Sequence, residues 1–297
     1  MIFLTSVALL AQDKASSTPM QITVSAGHFY TEQAPVLTRD DLTITEGFEE
    51  VPIVSVTPLH GAIEIFLLID HCSSCEPGTK FNELRRFIVA QPPETSFGVA
   101  YIRGGRLEQA LNPTQDREAV VKAINTPEGS KPANPFTALA ELIRQWPPST
   151  SRRAVLMISN GLDPAGEIDK ANSPAEDAID EAIRAGVSVF AMYHPSADYA
   201  TADWSKVYAG QVELAHVAAE TGGEAYFLGF GPLPTIAPFL DDVADHLANQ
   251  YVLAFVPRAT SPGSFENIDV MSTNLKFDLT APAKIWIAPV ESATGQP

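Results

Sequence analysis

Cysteine is almost missing from this chain: 297 residues hold two, Cys72 and Cys75. At most one intrachain disulfide can form, and it would close only a local loop. Basic residues are also scarce, 19 Lys and Arg against 36 Asp and Glu, for a formal charge of −17. This argues against nucleic acid or an anionic membrane surface as a main partner, because both demand clustered Lys and Arg. The acidic charge is scattered and serves solubility. Long apolar runs are absent beyond the first eleven residues: no other stretch approaches the ~20 apolar residues of a membrane helix, so no integral membrane segment is expected in a mature chain. Catalytic signatures are missing too. There is no G-x-S-x-G elbow, and the glycines of Leu228-Gly229-Phe230-Gly231 lack the lysine of a phosphate-binding loop. His28, His60, His216 and His246 stand singly and read as structural or exposed. Asp241 and Asp242 fall on a helix face that should be solvated.

What is present is organised around Ala62 to Gly78, AIEIFLLIDHCSSCEPG. Its apolar run is broken only by Glu64, which predicts a strand buried on both faces. The run stops at Asp70-His71-Cys72-Ser73-Ser74-Cys75. A helical pattern follows near 79–90, with Phe81, Leu84, Phe87 and Ile88 on one face. A central parallel strand thus passes its C-terminal end to a polar loop that opens a helix, which is where open α/β sheets bind ligands.

The whole chain falls into five parts. Residues 1–19 begin with MIFLTSVALLA and continue into polar QDKASSTP, the outline of a secretory signal and linker without a basic start. Export to a secreted or periplasmic location is the expectation, and it would suit a disulfide between Cys72 and Cys75. Residues 20–58 carry β signals at Met20–Val24, Leu42–Thr45 and Val51–Val56. From 59 to 250 strands alternate with helices. Phe97–Ile102 and Leu107–Leu111 are joined by Gly104-Gly105 as a hairpin, so an antiparallel edge strand is expected. Thr114 starts a helix running to Asn125. Asn134 caps another, with Pro135 in its first turn. Ala154–Ser159 is a second two-faced strand. Ser173-Pro174-Ala175-Glu176 is a capping box, and Gly186 ends its helix. Val187–Tyr193 is a strand, 194–210 a long polar loop, 211–221 a helix, Glu224–Leu228 a strand and 235–249 a helix. Four strand candidates then fill 251–290, and 291–297 is a tail. The predicted architecture is α/β: a doubly wound, mostly parallel sheet, with a small flanking β module built from both terminal segments.

In that order and spacing the chain resembles a von Willebrand factor type A (VWA) protein, of the acidobacterial type in which the domain follows a short β module. The landmarks are the Leu-Thr-x-x-Asp-Leu…Glu-Gly spacing within 35–54, the Thr-x-Asp-Arg helix start, Thr221-Gly222-Gly223-Glu224-Ala225-Tyr226, and Tyr251-Val252-Leu253-Ala254-Phe255-Val256-Pro257. The resemblance implies a non-enzymatic, protein-binding domain with a metal-ion-dependent adhesion site. Mg²⁺ wants about six hard oxygens. By position Asp70, Ser74 and Thr137 match the family's ligands. Cys72 replaces a serine ligand and Asn160 an aspartate, so the site is degenerate, and Asp163 is the candidate substitute. His71, Cys72, Ser73, Asn134 and Gly161 would surround the ligand. A thiol is a poor ligand for Mg²⁺.

The Cys72-Ser73-Ser74-Cys75 pair carries a second reading. A C-x-x-C between a buried strand and a helix suits a thiol–disulfide oxidoreductase, because a helix N-terminus lowers thiol pKa. A local structural disulfide, or two free thiols in a degenerate metal loop, are the alternatives. Zinc would need two further ligands, and His194 is the distant candidate.

Overall fold

The computed structural model describes residues 19–28, 36–70, 78–124, 134–163, 173–194, 204–227, 235–258 and 261–289. The described residues before Leu59 form β1 (Met20–His28), β2 (Leu42–Glu46), β3 (Glu49–Glu50) and β4 (Ile53–Pro58). Alternation follows, through β5 (Ile63–Asp70), α1 (Gly78–Ala90), β6 (Ser96–Arg103), β7 (Arg106–Thr114), α2 (Arg117–Ala123) and α3 (Pro135–Gln145). It continues with β8 (Arg152–Ser159), α4 (Pro174–Ala185), β9 (Val187–Tyr193), α5 (Trp204–Glu220), β10 (Ala225–Phe227) and α6 (Ala237–Ala248). The chain then returns to strands alone: β11 (Gln250–Phe255), β12 (Ser264–Ser272), β13 (Phe277–Thr280) and β14 (Lys284–Ile287).

The central sheet has the order β10-β9-β8-β5-β6-β7. Its neighbours are parallel except β6 and β7, which form the expected hairpin. Gly104 and Gly105 both turn it with positive φ, 58° and 75°, as a two-residue loop between twisted strands requires. Side chains alternate along β5. Ile63, Ile65, Leu67 and Ile69 pack with residues of α1, α2 and α6, whereas Phe66 and Leu68 pack with α3, α4 and α5. Both parities are apolar because both faces are covered. Glu64 is accommodated by two donors: Trp146 Nε1 at 2.8 Å and the Ser149 hydroxyl at 2.7 Å.

The strand order also fixes the topological switch point of the sheet. From β5 the chain builds outward through β6 and β7, then returns to build β8, β9 and β10 on the other side. The winding reverses between β5 and β8, and the C-terminal ends of the two strands at such a switch point are where open α/β sheets bind ligands. Those ends are Asp70 and Ser159.

The terminal strands make two antiparallel four-stranded sheets, β13-β1-β11-β4 and β14-β12-β2-β3. Each sheet combines N- and C-terminal strands: β1 pairs with β11 and β13, and β2 with β12. Val24, Ile44, Leu253, Phe255, Ile268 and Ile285 from both sheets share one core.

An ion network ties this sandwich to the helices. Lys284 Nζ on β14 lies 3.1 Å from Glu176 on α4 and 3.5 Å from Glu220 on α5, and His216 Nε2 lies 2.7 Å from Glu176. Burial pushes the Glu176 carboxyl up, but the bonds from His216 and Lys284 outweigh it and hold the group below its ordinary 4.5. A carboxylate depressed in the folded state adds stability that is present above its unfolded value and is lost as pH falls through the folded one. Glu176→Gln is therefore expected to remove part of the stability lost below about pH 4.5, flattening the acid limb of a denaturation-midpoint profile relative to wild type. An unchanged acid limb would show that the network contributes nothing.

Some elements depart from the expectations. The segment 194–210 was expected to be a loop, yet α5 already begins at Trp204. Val207, Gly210, Leu214, Val217 and Ala218 are its buried positions, a helical period that Gly210 disguises as a break. Asp116, not Thr114, caps α2, accepting from the backbone N–H groups of Glu118 and Ala119 at 3.0 Å each. Ser173 caps α4 through the Glu176 N–H, but the Glu176 side chain is taken by His216 and Lys284, so the reciprocal half of the box is not made. Asp241 and Asp242 are exposed as expected, and Asp242 also accepts from the Tyr226 hydroxyl at 2.6 Å. His246 is buried, at 1% exposure.

Candidate functional site

Three described segments are linked at the C-terminal end of the sheet by side-chain bonds to β8 and the loop after it. The first is the end of β5, where Asp70 is 7% exposed and accepts a hydrogen bond from the Ser159 hydroxyl at 2.8 Å. Parallel pairing sets Ile69 opposite Ile158, so the next residues of the two strands, Asp70 and Ser159, meet across the switch point. The Ser159 hydroxyl also accepts from the Gly161 N–H at 3.1 Å, and so links the strand end to its own loop.

The second segment is the start of α3. Thr137 is exposed in its first turn, and its hydroxyl lies 3.5 Å from Asp163 Oδ2. Asn134 precedes the helix but does not cap it with its side chain. Its amide Nδ2 donates instead to the Gly105 carbonyl in the β6–β7 turn, at 3.3 Å.

The third segment is the loop after β8. Asn160 Oδ1 accepts from the Leu162 N–H at 2.9 Å, closing a local turn in the manner typical of Asn. Gly161 has φ of 69°, which favours glycine. It is also pressed against α5: a Cβ on Gly161 would fall 2.1 Å from the Gly210 carbonyl oxygen, and one on Gly210 would fall 2.1 Å from the Asn160 carbonyl oxygen. Two glycines thus let the loop backbone rest directly on the helix. The His194 N–H, at the end of β9, donates to the Ser159 carbonyl at 2.8 Å.

The structure therefore brings Asp70 to Ser159 and Thr137 to Asp163, with Asn160 and Gly161 between them in sequence. His71, Cys72, Ser73, Ser74 and Cys75 lie outside the described residues, and with them the disulfide and thiol readings. The N-terminal signal-like segment lies outside them too. Ser159 and Gly210 are positioning residues that the sequence reading passed over. No signal in the sequence pointed to Ser159, whose partner is set only by the pairing of β8 with β5; for Gly210 the signal was a glycine inside an apolar period of three and four.

The donors suit a small hard cation in kind. Asp70, Asp163 and Thr137 offer carboxylate and hydroxyl oxygens, which favour Mg²⁺ over softer metals. The Asn160 amide oxygen is engaged with its own loop, and the carboxylate beside Thr137 is that of Asp163. No group of three or more His, Cys, Asp or Glu placed to hold a metal occurs among the described residues. A cation here would lean on the Thr137 hydroxyl. Among the described residues no helix is long and apolar enough to cross a membrane.

No protein-family model matches the chain, and a search of curated proteins returns no match. Solved structures do resemble it. One is the conserved hypothetical protein BatB from Bacteroides thetaiotaomicron, at TM-score 0.46 and 14% identity, covering 63% of this chain and 98% of that one. Another is the vWF domain of the type V pili tip protein Mfa5 from Porphyromonas gingivalis, at TM-score 0.46 and 10% identity, covering 64% and 96%. A third is the SpRpn10 VWA domain, at TM-score 0.42 and 12% identity, covering 61% and 94%. The fold described above rests on the strand order and the two-faced core rather than on these likenesses.

Proposed function

We propose that this chain is a non-enzymatic, extracytoplasmic binding protein of the VWA type, and that its protein partner is held at the C-terminal end of the central sheet. The observation that carries the reading is the convergence of Asp70 with Ser159, and of Thr137 with Asp163, at the point where the sheet reverses its winding. Ligands of open α/β sheets bind at that place. The oxygens gathered there suit a cation or a polar partner group.

Asp70, Thr137 and Asp163 would hold Mg²⁺, with Ser74 matched to it by sequence alone. Bound Mg²⁺ supplies an open coordination position for a partner carboxylate. Ser159 fixes one oxygen of Asp70 and so sets how its carboxyl group is turned. Gly161 and Gly210 hold the β8 loop, and with it Asp163, close to α3. Cys72 in place of a serine and Asn160 in place of an aspartate weaken the site relative to the family pattern, because one hard ligand and one charge are lost.

The test is partner binding by the full chain, with partners identified by crosslinking at the native surface. Asp70→Ala and Thr137→Ala are each expected to lower affinity at least about tenfold, as loss of a central polar anchor does. If both variants kept wild-type affinity for every partner found, this end of the sheet would not be the binding site.

A further inference from the structure

At the opposite end of the sheet, where β9 begins and α4 and α5 finish, a cleft of about 340 Å³ separates the β sandwich from the helices. It lies within the size range of ligand clefts. Its walls are β1 at Met20–Thr23, β14 at Lys284–Trp286, and the end of α4 with the start of β9.

Both sandwich walls are strand edges. Along β1, residues Met20–Ser25 pair with β11 on one side, but β13 pairs with the other side only from Ser25 onward. Antiparallel bonds alternate, so each residue turns its N–H and C=O to one neighbour only. The Ala26 N–H bonds to the Asn249 carbonyl on the β11 side, so Val24 and Ile22 face that side as well. Gln21 and Thr23 therefore turn their main-chain groups outward, into the cleft.

The reason β13 does not continue is visible in its register. Ser25 faces Thr280, so Thr23 would face Pro282, which has no N–H to donate. The chain leaves the ladder there and crosses to β14. That strand is itself an edge among the described residues: there it pairs only with β12, and the Ile268 N–H to Ala283 carbonyl bond sets its phase. Lys284 and Trp286 then turn their main-chain groups away from β12.

The charged groups of the cleft are already engaged. Arg184 lies against the rings of Phe265 and Trp286, 4.7 Å from each centroid, and near Asp180 and Glu181. Lys284 is held by Glu176 and Glu220. Recognition here would come from the main chain, with Val187, Val252 and Ile183 meeting apolar side chains.

We propose that this cleft receives an extended peptide from a partner protein, which adds as a strand to the open edge of β1 and continues the ladder that Pro282 stops. Main-chain pairing at Gln21 and Thr23 gives affinity, and alternate apolar or β-branched side chains give selectivity. The site is independent of the Asp70 end.

The test is selection of a displayed random peptide library on the full-length protein, with Thr23→Pro in parallel. Proline removes the outward N–H at an edge position where strands tolerate it. Enrichment of alternating apolar peptides on wild type and Asp70→Ala, but not on Thr23→Pro, is the expected result. A selected peptide should slow amide exchange at Gln21 and Thr23. Its analogue N-methylated at alternate residues should bind about tenfold or more weakly, which tests main-chain pairing without altering the protein. Three results would overturn the proposal. One is equal enrichment on the proline variant together with an N-methylated analogue that binds as well as its parent. Another is slow exchange at both amides in the peptide-free chain, which would mean that the edge is already covered. The third is a concentration-dependent dimer broken by Thr23→Pro, which would make a second copy the occupant.

Discussion

Gly210→Ala is expected to destabilise the protein, although helix propensity alone predicts the reverse. Gly210 lies inside α5, where replacing glycine by alanine ordinarily gains about 1 kcal/mol. Here the new Cβ would meet the Asn160 carbonyl oxygen at 2.1 Å and the Gly161 carbonyl carbon at 3.3 Å. The obstacle is backbone, so no side-chain rotation relieves it. Overpacking of this kind costs about 1–3 kcal/mol, and sometimes more where backbone must move. Set against the propensity gain, a net loss of roughly 1–2 kcal/mol is expected, read as a lower denaturation midpoint at unchanged m-value. The loop carrying Asn160 and Asp163 would shift from α5, so binding at the Asp70 end should weaken in the same variant. A stabilised Gly210→Ala protein would mean that the loop does not rest on the helix.

Glu83→Ala should cost more. Glu83 on α1 is 5% exposed, and its two oxygens accept from the Thr235 hydroxyl at 2.7 Å and the Ile236 N–H at 2.6 Å, at the entry to α6. Hydrogen bonds to a charged group contribute about 1.5–3 kcal/mol each, and a buried N–H left unpaired costs a further 1–3 kcal/mol. The two effects overlap, so a loss of roughly 4 kcal/mol is expected, with faster amide exchange through α6. Arg86 at 3.8 Å is largely exposed and adds little. Glu83→Gln keeps an acceptor oxygen and should lose about half as much. Equal, small losses in both variants would show that α6 does not depend on this contact.

The buried run Ala62–Asp70 disclosed the central strand, because only a strand covered on both faces is apolar at both parities. The Gly104-Gly105 pair likewise disclosed the hairpin and its edge strand. The meeting of the terminal β segments followed from the order of elements, but its register did not, since partners such as Val24 and Tyr251 are set by contacts far apart in sequence. At the candidate site Asp70 and Thr137 could be picked out by position and residue type. The Ser159 bond to Asp70 could not, because it joins two strands brought side by side only in the folded sheet. The start of α5 was hidden by Gly210, whose residue type signals a break while its packing requires a glycine. Glu83 was hidden in the same way: a glutamate on a helix ordinarily faces water, and its partners lie more than 150 residues away.

Calorimetric titration of the purified protein with Mg²⁺ and Mn²⁺, with the thiols first reduced and then oxidised, decides whether a cation is held at the Asp70 end of the sheet. Saturable binding is expected, lost in Asp70→Ala and weakened in Thr137→Ala, with both variants folded by circular dichroism. Binding that persists unchanged in Asp70→Ala, or no binding by wild type in either thiol state, would contradict a cation site at this end of the sheet.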